Sequence, residues 1–564
     1  MHIVENKSKS GKKIYRSILL RESYREDGKV KKRTIANLSN CTPQEIGAIK
    51  LALNHKEDLG ELGSLSESVE LQEGLSVGAV WCVSQVAREL GIEEALGKDF
   101  QGKLAMWQVI ARVIDQGSRL SAVRLAQVHA AGDVLDMKRG FDENDLYGNL
   151  AWLAENQGKI EQKLFESRRG EKKPKLFLYD VTSSYLEGEQ NHFGEYGYNR
   201  DGKKGKKQIV IGLLCDEQGE AVSTEVFAGN TQDTQTFIPQ VRKVAERFGC
   251  KEVTIVGDRG MIKTLQIEQL PEGFHYITAI TKPQIEALIN KGILQLGLFE
   301  DKLCEIKEGG VRYVLRRNPK RAEEMAESRL SKMRCLGEFI EKKNGYLGDH
   351  PMASVSKALE KAKEKLKSLR IDTWVQIKEE EGILKIERDE EAMKEEGFLD
   401  GCYVIKTDLK EDEADKLLVH DRYKDLTEVE RAFRDCKTVN LEVHPVYVRK
   451  EESTRGHVFV VMLAYMIIRR LRKAWEGFDL TVEGGLEQLA TVCSMEVKVK
   501  GQDTRCLKIP QPREQSRRLL ETLKIKLPGA LPKRAIRVVT RKKPSRTTKS
   551  PVILRHFSSF CFFA

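Results

Sequence analysis

A short apolar run that ends on an acid constrains the fold of this chain more than any other sequence feature. Residues 176–179 read Leu-Phe-Leu-Tyr, a run rich in β-formers, and Asp180 follows them. Aspartate is a poor strand residue, and a carboxylate at the end of a buried strand must be hydrogen-bonded, paired or bound to a cation to offset its desolvation. Taken alone, such a residue is most often a simple turn aspartate.

The same pattern returns further along the chain. Residues 253–256 read Val-Thr-Ile-Val and lead through Gly257 to Asp258. Between the two acids the sequence predicts strands at 208–215 and 221–227 and a helix at 235–248. Three antiparallel strands, a helix and a further strand is the order of the ribonuclease-H-like fold, in which the first and fourth strands are parallel neighbours. We therefore expect Asp180 and Asp258 to lie side by side.

Two neighbouring carboxylates repel each other unless divalent cations neutralise them, which predicts a third acid. Mg²⁺ suits such a site, because it binds a few carboxylates together with waters and substrate phosphates. The segment 421–437 reads as one helix with a mixed polar face, and Glu430 is the candidate third ligand. The predicted face carries Tyr423, Leu426, Glu430, Phe433, Arg434 and Lys437.

Composition narrows the class of protein. A chain of 564 residues with a net charge of +11 is long enough for three or four domains and suits a polyanionic partner. Its 11 cysteines form no Cys-x-x-Cys pair, which argues against a zinc module and a secreted disulfide framework. The N-terminus lacks an apolar signal core and the longest apolar run, 458–468, is too short to span a bilayer, so we expect a soluble cytoplasmic protein with no membrane partner.

The periodicities predict an α/β fold class: a ribonuclease-H-like mixed sheet interrupted by an α/β insertion, with an all-α N-terminal domain preceded by a small β-hairpin unit. The expected divisions are a basic hairpin unit at 1–41, a helical domain that binds DNA at 42–168, the first part of the core at 172–282, the insertion at 283–397, the second part of the core with the third acid at 398–475, and a C-terminal region with a basic flexible tail at 476–564.

Two segments concentrate positive charge. The hairpin unit is equally consistent with a solvated surface and with binding to a phosphate backbone, and the flexible tail at 532–555 is equally consistent with plain disorder and with non-specific binding to DNA. The basic residues of the hairpin unit include Arg16, Arg21, Arg25, Lys29, Lys31, Lys32 and Arg33.

Several motifs together carry a family resemblance. The stretches LYDVTSSYL, GYNRDGKKGKKQIVIGLL, FAGNTQDTQTF, IVGDRG and DRYKDLTEVERAFRDCK resemble DDE-type transposases of bacterial insertion sequences. More narrowly, they resemble the cut-and-paste group with a Tyr-x2-Arg-x3-Glu-x6-Lys motif and a β-rich insertion ahead of it. Tyr423, Glu430 and Lys437 match this motif in identity and spacing, whereas Leu426 stands where arginine is usual. Arg422 or Arg434 is the candidate replacement for that charge.

The resemblance implies a metal site and a reaction. Asp180, Asp258 and Glu430 would hold two Mg²⁺ ions, with Mn²⁺ able to substitute. Water would first attack a phosphodiester at the element end, and the freed 3′-hydroxyl would then attack another strand; the flanking break is typically made through a hairpin on the element end. Tyr423 and Lys437 would hold terminal phosphates.

Three further residues are candidates with an open alternative. Lys207 and Arg259 are expected near the site, each as consistent with general electrostatics as with a specific DNA contact. Trp374, in the insertion, fits packing better than function, the alternative being that it stacks a displaced base.

The resemblance also implies partners. These are double-stranded DNA, as terminal inverted repeats and as target, and a second copy of the chain in a homodimeric DNA complex associated with the bacterial nucleoid. A ribonuclease-H-like nuclease acting on other nucleic acids is one alternative. A domesticated DNA-binding protein that no longer cuts is another, and the presence of all three acids argues against it.

Overall fold

The computed structural model describes residues 1–10, 13–54, 69–170, 172–295, 297, 303–437, 441, 443, 446–499, 505–532, 534 and 536–540. They form two compact units. The first comprises the described parts of 1–75, 493–511 and 528–533, and the second comprises the described parts of 76–492, 512–527 and 534–564. Most of the predicted basic tail, 532–555, lies outside the described residues.

The strands, in chain order, are β1 His2–Ser10, β2 Lys13–Glu26, β3 Lys29–Asn37, β4 Val69–Ser76, β5 Leu176–Tyr185, β6 Gln208–Asp216, β7 Ala221–Ala228, β8 Val253–Gly257, β9 Phe274–Ala279, β10 Cys304–Glu308, β11 Val311–Arg317, β12 Val375–Glu380, β13 Ile383–Arg388, β14 Cys402–Thr407, β15 Cys493–Val499 and β16 Arg505–Lys508.

The helices are α1 Pro43–Asn54, α2 Gly78–Glu89, α3 Ile92–Leu96, α4 Phe100–Ile114, α5 Arg119–Val128, α6 Ala131–Val134, α7 Glu143–Arg169, α8 Asp233–Arg242, α9 Thr264–Glu268, α10 Lys282–Asn290, α11 Pro319–Asp349, α12 Val355–Leu369, α13 Glu390–Gly397, α14 Lys416–Lys424, α15 Leu426–Lys437, α16 Glu451–Trp475, α17 Val482–Ala490 and α18 Glu514–Thr522. A π-helical turn, Lys243–Arg247, continues α8.

The first unit contains two small sheets. The predicted hairpin forms as β2 and β3, joined by Asp27 and Gly28 at φ 48° and 76°, a backbone conformation typical of tight hairpin turns. Strand β1 pairs with β2 and extends the hairpin to three strands. The second sheet has the order β16-β15-β4. Strand β4 lies in a segment for which the sequence predicts only helices, so that prediction is wrong for Val69–Ser76.

The second unit is built on an eight-stranded mixed sheet of order β10-β11-β14-β9-β8-β5-β6-β7. Strands β5, β6 and β7 form an antiparallel meander, while β5, β8 and β9 are parallel. Side chains of β5 alternate between two apolar layers, as strand geometry requires: Leu176 and Leu178 belong to one, Phe177 and Tyr179 to the other. The predicted meander and the predicted parallel pairing of the first and fourth core strands are both present, as β5–β6–β7 and as β5 beside β8.

Helix α16 covers the Leu178 face of this sheet. It packs against α4, α7 and β7, and every residue from Val458 to Ile468 is buried. The longest apolar run of the sequence is therefore a core helix. Within the part of the chain that the structure describes, no helix is both long and apolar enough to cross a membrane.

The insertion differs in extent from the prediction. Helices α11 and α12 and the β12–β13 pair lie within the predicted α/β insertion and pack around their own apolar cluster. Strands β10 and β11, which the sequence assigns to the insertion, instead add to the edge of the large sheet beside β14. The large sheet therefore contains strands on both sides of the predicted boundary between core and insertion at 282–283.

Candidate active site

Two acids directly follow the stretch over which two strands pair in parallel. Strand β5 pairs with β8 from Leu176↔Thr254 to Tyr179↔Gly257, and the next residues are Asp180 and Asp258. The structure therefore brings these acids to neighbouring positions at one end of the parallel pair, as the strand order requires. Strand β5 itself continues to Tyr185 through its pairing with β6. The prediction that this strand ends on Asp180 is wrong, since the acid lies at its middle.

Asp180 occupies an unfavourable place for a charge. Strand alternation puts it on the Leu178 face, toward α15, which packs on β5. Its Oδ1 accepts a hydrogen bond from the backbone N–H of Val181 at 2.7 Å. Burial, with the charges of Asp258 and Glu430, raises the pKa of Asp180 to about 7, against the opposing effects of the Val181 N–H and the Arg200 guanidinium. Asp258 and Glu430 therefore both act electrostatically on Asp180.

Asp258 is exposed and lies in the turn after β8. Its Oδ1 accepts hydrogen bonds from the backbone N–H of Arg259 at 2.8 Å and from the Tyr423 hydroxyl at 3.4 Å. Burial, followed by the charge of Asp258 and this hydrogen bond, raises the pKa of the Tyr423 hydroxyl, which therefore stays protonated and able to donate.

Glu430 lies on α15, the second of two helices rather than one. The chain turns at Asp425, between α14 and α15, so residues 421–437 do not form the single predicted helix. The predicted mixed face is also wrong, because Leu426 and Phe433 are buried in the core while Glu430 and Arg434 are exposed. The buried stripe of α15 fixes the helix on β5 and leaves Glu430 at its border.

Lys437 makes a specific contact. Its Nζ donates to Asp201 Oδ1 at 2.5 Å, and only 16% and 8% of the two side chains are exposed. The other oxygen of Asp201 accepts the backbone N–H of Tyr185 at 3.1 Å. The motif lysine thus links the end of α15 to the glycine-rich loop, residues 194–207, between β5 and β6.

The remaining predicted contacts are placed as follows. Arg434 and Arg259 are exposed, and the Lys207 ammonium lies 5.9 Å from the centre of the Tyr196 ring. Arg422, the other candidate for the missing motif charge, contacts Asp425 at 3.4 Å.

The position of Trp374 contradicts its candidate role as a DNA contact. Its side chain is 1% exposed and packs in the core of the insertion with Leu336 and Val375. A ring buried in this way has no face free for a nucleic-acid base, so the interpretation of Trp374 as a DNA contact is wrong and the packing alternative holds.

Sequence reasoning missed Arg200 and Asp233 as site residues. The Arg200 guanidinium donates to Asp233 Oδ1 at 2.6 Å, and its backbone N–H donates to Ser183 Oγ at 2.9 Å. The charge of this arginine lowers the pKa of Asp180, against the effect of burial. Arg200 lies in the motif GYNRDGKKGKKQIVIGLL and Asp233 in the motif FAGNTQDTQTF. Their pairing could not be predicted, because it depends on the loop after β5 folding back along that strand.

The donor set suits a divalent cation. Carboxylate oxygens are the ligands that Mg²⁺ and Mn²⁺ prefer, and a cation would relieve the repulsion felt by Asp180. Among the residues that the structure describes, no three His, Cys, Asp or Glu side chains converge closely enough to form a metal cluster. In this conformation Asp258 is instead hydrogen-bonded to Tyr423. The acids fit such an ion chemically, without a preformed cage.

Comparison with known proteins defines the class. Residues 171–467 match the family model described as a transposase DDE domain. Since this match spans more than half of the chain, the protein belongs to the DDE transposases, enzymes that use divalent metal ions. Residues 1–67 match the model for the N-terminal domain of IS1634 family transposases, which makes the chain a transposase of the insertion-sequence type.

Other comparisons add little. No curated protein matches the chain. A cryo-EM structure of the piggyBac transposase synaptic complex with hairpin DNA is similar at a TM-score of 0.34 and 11% sequence identity, over 74% of this chain and 82% of that one.

Proposed function

We propose that this transposase cuts DNA at the ends of its element and joins the freed ends to target DNA, using Asp180, Asp258 and Glu430 as one catalytic site. The observation that carries the proposal is the parallel pairing of β5 with β8, after which Asp180 and Asp258 are the next residues on adjacent strands. The effect of both Asp258 and Glu430 on the pKa of Asp180 supports their grouping.

The core is proposed to be ribonuclease-H-like. The support is the order β7-β6-β5-β8-β9, with an antiparallel meander followed by two strands parallel to β5. In such a sheet, ligands bind beyond the carboxyl ends of the parallel strands, and Asp180 and Asp258 directly follow the last residues through which β5 and β8 pair.

Each acid has a proposed role as a ligand for divalent ions, Mg²⁺ by preference and Mn²⁺ in its place. Bound ions would supply charge neutralisation and Lewis-acid activation at the phosphodiester. The Tyr423 hydroxyl, kept protonated, would hold Asp258 in position and donate to a phosphate oxygen when DNA enters. Lys437 would hold the loop through Asp201, and the exposed Arg434 and Arg259 would contact the DNA backbone.

The proposed reaction has two steps. Water attacks the phosphodiester at the element end, and the 3′-oxygen leaves and takes a proton. The resulting 3′-hydroxyl then attacks a phosphodiester of another strand, so one bond forms for each that breaks. Two ends must be processed together, and we propose that two copies of the chain bind one pair of ends.

The test is cleavage of a labelled DNA end with its native flank, in Mg²⁺ or Mn²⁺. Wild type is expected to cut at the element boundary, and Asp258→Ala is expected to abolish cutting. Glu252→Ala is the matched control, because Glu252 is exposed just before the opposite end of the same strand β8. A wild type that binds the ends but never cuts them under either metal would refute the proposal.

A further inference from the structure

Helix α14, Lys416–Lys424, packs against four neighbouring strands of the large sheet, β11, β14, β9 and β8. Its Tyr423 hydroxyl reaches Asp258, the residue after β8, through a hydrogen bond of 3.4 Å. A helix of nine residues is too short to be stable alone, so contacts with the sheet must set its position. The place of the Tyr423 hydroxyl therefore depends on how α14 is fixed.

Apolar packing supplies only part of this anchoring. The buried residues of α14 are Val419 and His420, whereas Leu417 and Leu418 are exposed. His420 is only 2% exposed, and a polar side chain buried to this degree needs hydrogen-bond partners. Since one of the two buried anchors is a histidine, its partners help to decide where the helix lies.

Two side chains of the sheet converge on His420. Arg316 of β11 and Tyr403 of β14 are directly opposite each other in the strand pairing, so they project from the same face. The Tyr403 hydroxyl lies 2.6 Å from His420 Nε2, and the Arg316 guanidinium lies 3.1 Å from the same nitrogen. The rings of Tyr403 and His420 also stack, with their centres 6.0 Å apart. The imidazole thus joins α14 to two strands at once.

These contacts fix the proton of the imidazole. Arginine has no acceptor, so the Arg316 N–H donates and His420 Nε2 offers its lone pair. The proton is then on Nδ1, which donates to Asp421 Oδ1 at 3.2 Å. Burial lowers the pKa of the ring, and the charges of Lys424 and Arg316 lower it further, against the effect of Asp421. The ring is therefore a neutral acceptor at pH 7.

His420 and Tyr423 lie three residues apart, which makes them neighbours on the surface of α14. An imidazole held by β11 and β14 therefore sets where the tyrosine hydroxyl meets Asp258. Loss of a group that orients a metal ligand from outside typically lowers metal affinity or activity by about 10- to 100-fold. We propose that His420 is a positioning residue of the active site, which acts through Tyr423 to orient Asp258 for the divalent ion.

The proposal rests on the proposed function, because it assigns His420 to the site that the three acids would form. Its first test is the rate at which a labelled DNA end is cut, measured across a Mn²⁺ titration. His420→Phe keeps a ring of similar size and removes the acceptor, so the rate at subsaturating Mn²⁺ is expected to fall by about 10- to 100-fold. Binding of the same DNA in Ca²⁺ is expected to stay unchanged.

His420→Gln is the conservative variant, because its amide oxygen can take the place of Nε2 and accept from the two strands. It is expected to recover most of the lost rate. Tyr403→Phe removes only the hydroxyl that donates to His420 and is expected to lower the rate by about tenfold or less. Leu417→Ala is the matched control, since Leu417 is 57% exposed on the same helix and its loss is expected to leave the rate unchanged.

A double variant tests whether His420 acts through the tyrosine. Adding His420→Phe to Tyr423→Phe is expected to lower the rate no further, because the hydrogen bond to Asp258 is already absent.

Hydrogen–deuterium exchange of the metal-free and DNA-free protein measures the same linkage without catalysis. His420→Phe is expected to speed exchange of the α14 amides, 420–424, by about tenfold, and His420→Gln to restore their protection. Unchanged protection of the core helix α16 is expected in both variants and shows that the fold is intact.

Four results would overturn the proposal: a wild-type rate in His420→Phe, equal losses in His420→Phe and His420→Gln, full additivity with Tyr423→Phe, or unchanged exchange of α14. Failure of wild type to cut DNA ends would instead refute the proposed function. The exchange data would then still decide whether His420 fixes α14.

Discussion

Replacing Lys437 by methionine removes the cation that pairs with Asp201 and keeps a side chain of similar length. The ammonium and carboxylate are 2.5 Å apart and almost wholly shielded from water, so the variant leaves a carboxylate buried without its partner. Breaking such a pair costs about 2–4 kcal/mol. Asp201 also accepts the Tyr185 N–H, so we expect the cost to fall on the glycine-rich loop, 194–207, and its attachment to β5.

Hydrogen–deuterium exchange of the DNA-free protein measures this cost locally, without assuming two-state unfolding of a large chain. At about 1.4 kcal/mol per tenfold, protection of the loop amides and of Tyr185 should fall roughly 30- to 700-fold in Lys437→Met. Arg434→Met is the control, since Arg434 is exposed one turn earlier on α15 and should leave exchange unchanged.

Adding Asp201→Asn to Lys437→Met should restore most of the protection, because the amide carries no unpaired charge and still accepts the Tyr185 N–H. Loop exchange in Lys437→Met equal to that of wild type would refute the pairing, and would return Lys437 to a role in binding DNA only.

Three further predictions concern stability. Trp374→Ala should destabilise the insertion by about 3–5 kcal/mol through the cavity it leaves, seen as faster limited proteolysis within 319–388, and unchanged proteolysis would contradict its burial. Gly229→Ala should lower the melting temperature, because its Cβ would clash with the Gln208 backbone, whereas Gly477→Ala, with nothing within 4 Å, should not. Burial and two neighbouring arginines hold the pKa of His457 well below 6.5, so the native state excludes a proton that the unfolded chain takes up. The contribution of His457 to stability should therefore fall by about 1.4 kcal/mol per pH unit below pH 6.5, and a pH series of thermal melts should show the slope reduced by that amount in His457→Asn.

The pairing of the two aspartates could be predicted from the sequence because it depends on local signals. The runs before Asp180 and Asp258 are short, apolar and rich in β-formers, and the intervening meander and helix fix which strands are neighbours. Strand order then determines where the acids meet, whatever the exact strand ends.

The continuation of β5 could not be predicted in the same way. Residues 181–185 read Val-Thr-Ser-Ser-Tyr, which is polar enough to suggest a turn. In the fold, Thr182, Ser183 and Ser184 are buried and paired with β6, so packing overrides their local preference.

Contacts between distant segments leave no periodic signal. Lys437 and Asp201 are 236 residues apart, and the sheet of β4, β15 and β16 joins segments separated by more than 400 residues. The prediction of a single mixed face over 421–437 was wrong for a related reason. Leu426 and Phe433 are buried in the core, and the chain turns at Asp425 so that they can pack there.

The central claim is that Glu430 acts with the two aspartates, and Glu430 is the acid that strand order does not fix. The most direct test compares Glu430→Gln with Glu428→Gln in metal-dependent cleavage of a labelled DNA end. Glu428 lies two residues earlier on the same helix, where it pairs with Arg431 and Arg469 instead of facing the aspartates. We expect loss of cleavage in Glu430→Gln with retained DNA binding, and near wild-type cleavage in Glu428→Gln. Cleavage by Glu430→Gln at the wild-type rate would contradict it.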